Sequence, residues 1–274
     1  MTASRFSRSF GPRESDRGKG QPAGAPDQTT SDADTAAEVI LSSESATRQG
    51  VCARTRPALR PCGVFVPENY EPNYAYPLVV WLHDAGRSER DIVHVLPHIS
   101  MRNYLGLALR GTAPANPRAQ GDDEASAGYG WSRSQRMRLV FEDELHASVR
   151  RLRQDFHIHT ERIFLAGAGD GGTLAWEIFL ARPEWFAGLA VFGGRFPYRR
   201  RPLRRYRELR GKHVFLAANA LDPAGLSRTE QLGRLLYSAG LEVSARSHLP
   251  GRRWPRSLYR HVDHWIMQAI GGCP

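Results

Sequence analysis

The chain has 274 residues, with 38 Lys and Arg against 28 Asp and Glu and a formal net charge of +10. A content of 41% hydrophobic and 24% charged residues is that of an ordinary globular protein and excludes wholesale disorder. No apolar run approaches the ~18 residues of a membrane span, and Cys52, Cys62 and Cys273 are too few, and odd in number, for a disulfide framework, so a reducing, cytoplasmic setting is expected. Lys19 and Lys212 are the only lysines. Either basic residue neutralises a phosphate, so an almost pure arginine excess reads as compositional bias as readily as a nucleic-acid footprint.

Residues 1–50 are rich in Ser, Thr, Gly, Pro and Asp, with few apolar residues to offset the entropy of ordering, and read as a disordered tail. Residues 51–274 form the domain. Short apolar runs then alternate with helical stretches. The strand-like runs are Cys62–Val66, Leu78–Leu82, Leu105–Leu109, Ile163–Ala166, Leu189–Phe192, Val214–Ala218 and Leu241–Val243. Helical patterns cover Glu89–Ile99, Leu139–Phe156, Gly172–Arg182, Ser227–Ser238 and Ser257–Ile270. In the second of these, Leu139, Leu145, Val149 and Leu152 share one face and Glu142 and Glu144 the other. Continuous apolar strands suggest burial on both faces, and the alternation predicts an α/β fold: a mostly parallel, doubly wound sheet with helices on both faces. Ligands of such folds bind at the carboxyl ends of the strands, which directs attention to the loops after Leu82, Ala166 and Ala218.

The most informative of these loops is Gly167-Ala168-Gly169-Asp170-Gly171-Gly172. A strand, a tight turn of small residues and then a helix is the plan of a nucleophile elbow, G-x-S-x-G. The helix N-terminus offers N–H groups and a positive dipole to a developing oxyanion. Gly167 and Gly171 stand at the two glycine positions, and Gly169 stands where the serine belongs.

RIFLAGAGDGG resembles the elbow of the phospholipase/carboxylesterase family of α/β-hydrolases, which are serine esterases and acyl-thioesterases. The resemblance extends in order over residues 60–270. PLVVWLHDAG (Pro77–Gly86) is similar to the family's oxyanion strand and loop, and RGTAPA and GYGW to its substrate-side loop. LAANALDPAG (Leu216–Gly225) is similar to the strand and loop that supply the acid, and HVDHWIM to the closing helix. It implies an α/β-hydrolase fold and an ester-like small-molecule ligand, with no cofactor and no metal.

Carried over position by position, the resemblance puts the nucleophile at Gly169, the acid at Asp222 and the general base at Arg253. It puts the oxyanion-hole N–H groups at Ala85 and Asp170. Glycine has no side chain with which to attack, and a guanidinium does not give up its proton, so Arg253 cannot act as a base. Asp84 stands where the family's oxyanion loop has glycine and brings negative charge to a place that should welcome an oxyanion. The serine mechanism is therefore closed, and the expectation is a catalytically inactive member acting as a binding or scaffold module.

Three departures from that expectation are open. Asp170 would be a carboxylate nucleophile in a register shifted by one, against the plainer role of capping the following helix. His248 would replace the lost base. His83, Asp84, Asp170 and Asp222 would gather round a divalent ion, although no metal-site spacing supports this. Separately, residues 195–212 carry nine basic residues and one acid, Glu208, interleaved with Phe196, Tyr198 and Tyr206. That composition suits an anionic or nucleic-acid partner, or a solvated arginine-biased surface.

Overall fold

The structure is a computed structural model, and it describes residues 7–9, 39–41, 60–114, 128–198, 202–249 and 254–272. Eleven strands are described: β1 (Ser7–Ser9), β2 (Val39–Leu41), β3 (Cys62–Phe65), β4 (Tyr76–Leu82), β5 (Leu105–Leu109), β6 (Ala113–Pro114), β7 (Tyr129–Gly130), β8 (Ile158–Ala168), β9 (Gly188–Phe192), β10 (His213–Asn219) and β11 (Glu242–His248). The helices are α1 (Ile92–Ile99), α2 (Gln135–Asp155), α3 (Gly169–Ala181), α4 (Tyr206–Leu209), α5 (Pro223–Ser238) and α6 (Arg256–Gly271).

Nine strands form one sheet in the order β1-β11-β10-β9-β8-β4-β5-β3-β2, and β6 and β7 form a separate ribbon. From β1 through β5 along that order every pairing is parallel, while β3 runs antiparallel to β5 and β2 to β3. The central β4 is buried along its whole length. Its residues alternate between two cores. Leu78, Val80 and Leu82 face α2, α3 and α5, while Val79 and Trp81 face α1 and α6. A strand covered on both sides has no reason to alternate apolar with polar, which is why its sequence reads as an unbroken run.

Several boundaries depart from the sequence expectation. The apolar core of β8, Ile163–Ala166, is extended at its start by polar residues from Ile158 onward. β11 begins one residue later than the expected run and continues through Ser244–His248, paired in register with β10 up to Asn219. Ladder hydrogen bonds are made by backbone, so a strand beside a well-ordered partner continues where its side chains no longer look strand-like. In α2 the buried face is Phe141, Glu142, Leu145, Ser148, Val149 and Leu152, while Leu139 is exposed. Glu142 was expected on the polar face. It is instead buried between Arg182 Nε (3.2 Å) and Arg138 (3.3 Å), since a carboxylate can enter the interior when guanidiniums follow it.

Candidate active-site cleft

The turn from β8 into α3 is made by glycine for two physical reasons. Gly169 opens the helix at φ +50°, a left-handed conformation that costs other residues about 1–2 kcal/mol. At Gly171 a Cβ would collide with the carbonyl oxygens of Leu82 and His83, so this turn lies directly on the end of β4.

The loop leaving β4 is held from beneath by His83, which is fully buried. Its Nε2 accepts from the Gly111 N–H at 3.0 Å, which places the ring proton on Nδ1, where it is donated to the Asp84 carbonyl at 2.8 Å. Trp131 Nε1 donates to the His83 carbonyl at 2.7 Å, and its ring lies 4.8 Å from the imidazole. Burial holds the His83 pKa below its ordinary value, so the ring stays neutral and works as a strut. Beside it, Arg110 clamps the buried Glu89 through two bonds of 2.9 and 2.6 Å and lies over the Tyr129 ring.

On this strut stands Asp84. Its Oδ1 accepts from the N–H of Ala85 at 2.7 Å and from the N–H of Asp170 at 3.1 Å. These are the two N–H groups to which the resemblance gave the oxyanion hole, and they converge on a single oxygen supplied by the chain itself. A Cβ at Gly169 would collide with the same carboxylate. Asp84 therefore fills the space that a side chain at position 169 would need, and its negative charge lies at the positive end of α3.

The other sequence-designated residues lie as follows. The Asp170 side chain does not cap α3, as the plainer reading had it. Asp170 is the second residue of the helix, its carboxylate faces Arg133 at 3.6 Å, and the first-turn N–H of Asp170 is satisfied by Asp84 from another loop. Asp222 is the N-cap of α5: Oδ1 accepts from the Gly225 N–H at 2.8 Å, and Oδ2 pairs with Arg228 at 3.3 Å. His248 ends β11, with Nδ1 2.8 Å from the Leu249 carbonyl and its ring edge-on to Trp254 at 4.8 Å. Asp222 and His248 line the same cleft without a hydrogen bond between them. Arg253 lies outside the described residues. Among the described residues no group of three His, Cys, Asp or Glu is arranged to hold a metal ion, and both His83 nitrogens are already engaged.

The basic stretch does not form one uniform face. Phe196 is buried against Trp176, Arg205 is bonded to the Ala181 carbonyl, Glu184 and Glu208, and the Lys212 ammonium donates to the Phe186 carbonyl at 2.7 Å. Tyr198 and Tyr206 are exposed, and residues 199–201 lie outside the described set.

A cleft of about 1220 Å³ opens at the carboxyl ends of β4, β8, β9, β10 and β11, and Asp84, Asp222, His248 and Trp254 all face it. Sequence reasoning placed the charge of Asp84 in the oxyanion loop but did not foresee that its carboxylate would accept from the Ala85 and Asp170 N–H groups and fill the space beside Gly169. The available signal was its pairing with Gly169: a residue with no side chain beside a new residue with one. Nothing in the sequence marked Trp254 or Arg256 as cleft residues.

Solved structures with this architecture include carboxylesterases and esterases. The chain is similar to a carboxylesterase from Mesorhizobium loti, at TM-score 0.58 and 19% identity over 76% of this chain and 94% of that one. It is similar to a carboxylesterase from Bacillus cereus, at TM-score 0.57 and 17% identity over 78% and 96%. A ferulic acid esterase aligns at TM-score 0.60 and 14% identity over 84% and 98%. The chain has the α/β-hydrolase fold. No family model matches it, and no curated protein does. Within the hydrolase frame, the cleft described above occupies the crevice where open α/β sheets take their ligands. No helix among the described residues is long and apolar enough to cross a membrane.

Proposed function

We propose that this chain is a carboxylesterase-type α/β-hydrolase-fold protein without serine-esterase activity, and that its cleft serves as a binding site. The observation that carries this reading is the Asp84 carboxylate, which takes both convergent N–H groups and the space beside Gly169. Removing a nucleophile or a base from a triad costs nearly as much rate as removing both, and leaves on the order of 10³–10⁴ over water from binding and the oxyanion hole. Here a carboxylate stands in the hole, where a substrate oxyanion would meet repulsion in place of donors. Asp222 supports the same reading, since its two oxygens are engaged by α5 and Arg228.

The test is direct. Full-length protein incubated with p-nitrophenyl acetate and with a fluorophosphonate probe is expected to show neither turnover nor labelling. Labelling of any serine, or turnover abolished by Asp170→Asn or by His248→Ala, would overturn the proposal in favour of a hydrolase with rearranged residues.

A further inference from the structure

The charges lining the cleft are not matched to one another. Among the described residues three carboxylates line it, and each is engaged: Asp84 Oδ1 by two backbone N–H groups, Asp91 by Trp81 Nε1 at 3.2 Å and Arg87 at 3.4 Å, and Asp222 by Gly225 and Arg228. Four arginines among the described residues line the same space. Two of them, Arg87 and Arg228, are those just named as partners. The side chains of the other two, Arg195 and Arg256, make no hydrogen bond, ion pair or ring contact among the described residues.

These two cations are brought to the cleft by neighbouring elements. Arg195 lies two residues beyond Gly193 in the loop after β9, where its backbone N–H is fixed on Thr173 Oγ1 at 2.9 Å. Arg256 is the first residue of α6, two residues beyond Trp254. The two loops meet at the indole of Trp254: a Cβ built at Gly193 would lie 3.7 Å from it. That ring packs on Phe192 at 5.6 Å and against His248 at 4.8 Å, so it is held in place as an apolar surface in the same cleft that Arg195 and Arg256 line. No acidic residue occupies the first turn of α6, so this end of the helix adds no competing negative charge.

From this imbalance we infer that the cleft binds a small organic anion, a carboxylate or phosphate carried on a planar apolar body, with Arg195 and Arg256 holding the anion and the Trp254 region receiving the ring. Guanidinium is matched to both oxyanions, and its charged hydrogen bonds are about twice as strong as neutral ones. An aromatic body adds apolar contact that a bare ion cannot make. The inference deepens the binding-site reading above and rests on it, but it is tested by ligands that need no turnover. A fluorophosphonate-labelled protein would end the first reading without touching the second.

Isothermal titration of the full chain at low salt with phenyl phosphate, benzoate, inorganic phosphate, benzyl alcohol and benzylamine tests it. Phenyl phosphate and benzoate are expected to bind, phenyl phosphate about tenfold or more tighter than inorganic phosphate, while the alcohol and the amine give no saturable heat. Arg195→Gln and Arg256→Gln are each expected to weaken phenyl phosphate by about tenfold, with unchanged circular dichroism and melting temperature, because both side chains are exposed. Arg207→Gln, in the same arginine-rich stretch but outside the cleft, should leave the affinity unchanged. Four results would overturn the inference. These are benzylamine binding as tightly as phenyl phosphate, inorganic phosphate binding as tightly as phenyl phosphate, Arg207→Gln weakening binding as much as Arg195→Gln, or no binding of either aromatic anion.

Discussion

The β8–α3 turn and the β10–α5 turn depart in opposite ways from the serine-hydrolase pattern that the resemblance implies. At the first, the backbone follows that pattern and the position of the serine has no side chain. Gly169 keeps its left-handed φ, Gly171 still fits against β4, and two N–H groups still converge on one point. At the second, the side chain is present and its bonds are elsewhere: Asp222 caps α5 and pairs with Arg228. Residue type and the company a residue keeps are separate requirements of a catalytic arrangement, and the backbone at both turns is fixed by the packing of strand on helix and not by either requirement.

The sharpest way to break this comparison is at Gly171. If the β8–α3 turn is held by close approach to β4, Gly171→Ala should destabilise the fold by about 3 kcal/mol or more, read from denaturant unfolding, since backbone carbonyls cannot move aside. A loss below about 1 kcal/mol would mean that the turn is looser than described. Gly169→Ser is expected to cost about 2 kcal/mol, from the left-handed φ and from displacement of Asp84. Adding Asp84→Gly should recover about 1 kcal/mol of that loss; strict additivity in the double-mutant cycle would show that the two positions do not share space. The double variant should still fail to hydrolyse p-nitrophenyl acetate, because a serine without a base is not activated. At the other turn the effects are smaller. Asp222→Ala is expected to cost about 1 kcal/mol, the ordinary worth of an N-cap. Arg228→Ala, breaking an exposed ion pair, should change stability by about 0.5 kcal/mol or less.

Much of the fold was legible in the sequence because period and burial are coupled. The run Leu78–Leu82 is buried on both faces and reads accordingly, and the glycines at 167, 169 and 171 announced a strand–helix turn. The antiparallel direction of β3 was not legible, because an antiparallel strand with buried side chains has the same apolar composition as a parallel one. Glu142 was placed on the wrong face for a related reason: its two arginine partners lie 4 and 40 residues away, and no helical pattern reports the second. The continuation of β11 to His248 was likewise hidden, since its support comes from the β10 backbone.

The sequence by itself determined which residue types stand in the elbow, the oxyanion loop and the acid loop, and so excluded attack by a serine at position 169. Residue type is local information, and a glycine has no side chain in any fold. Only the tertiary structure decided what happens to the groups left behind. It carries the Asp84 carboxylate across to the start of α3, turns Asp222 toward its own helix, and leaves Arg195 and Arg256 without partners among the described residues. Those outcomes depend on distances between residues far apart in the chain, set by how the loops meet above the sheet. The net charge of +10 said that cations were in excess, and the fold shows which of them face a cleft.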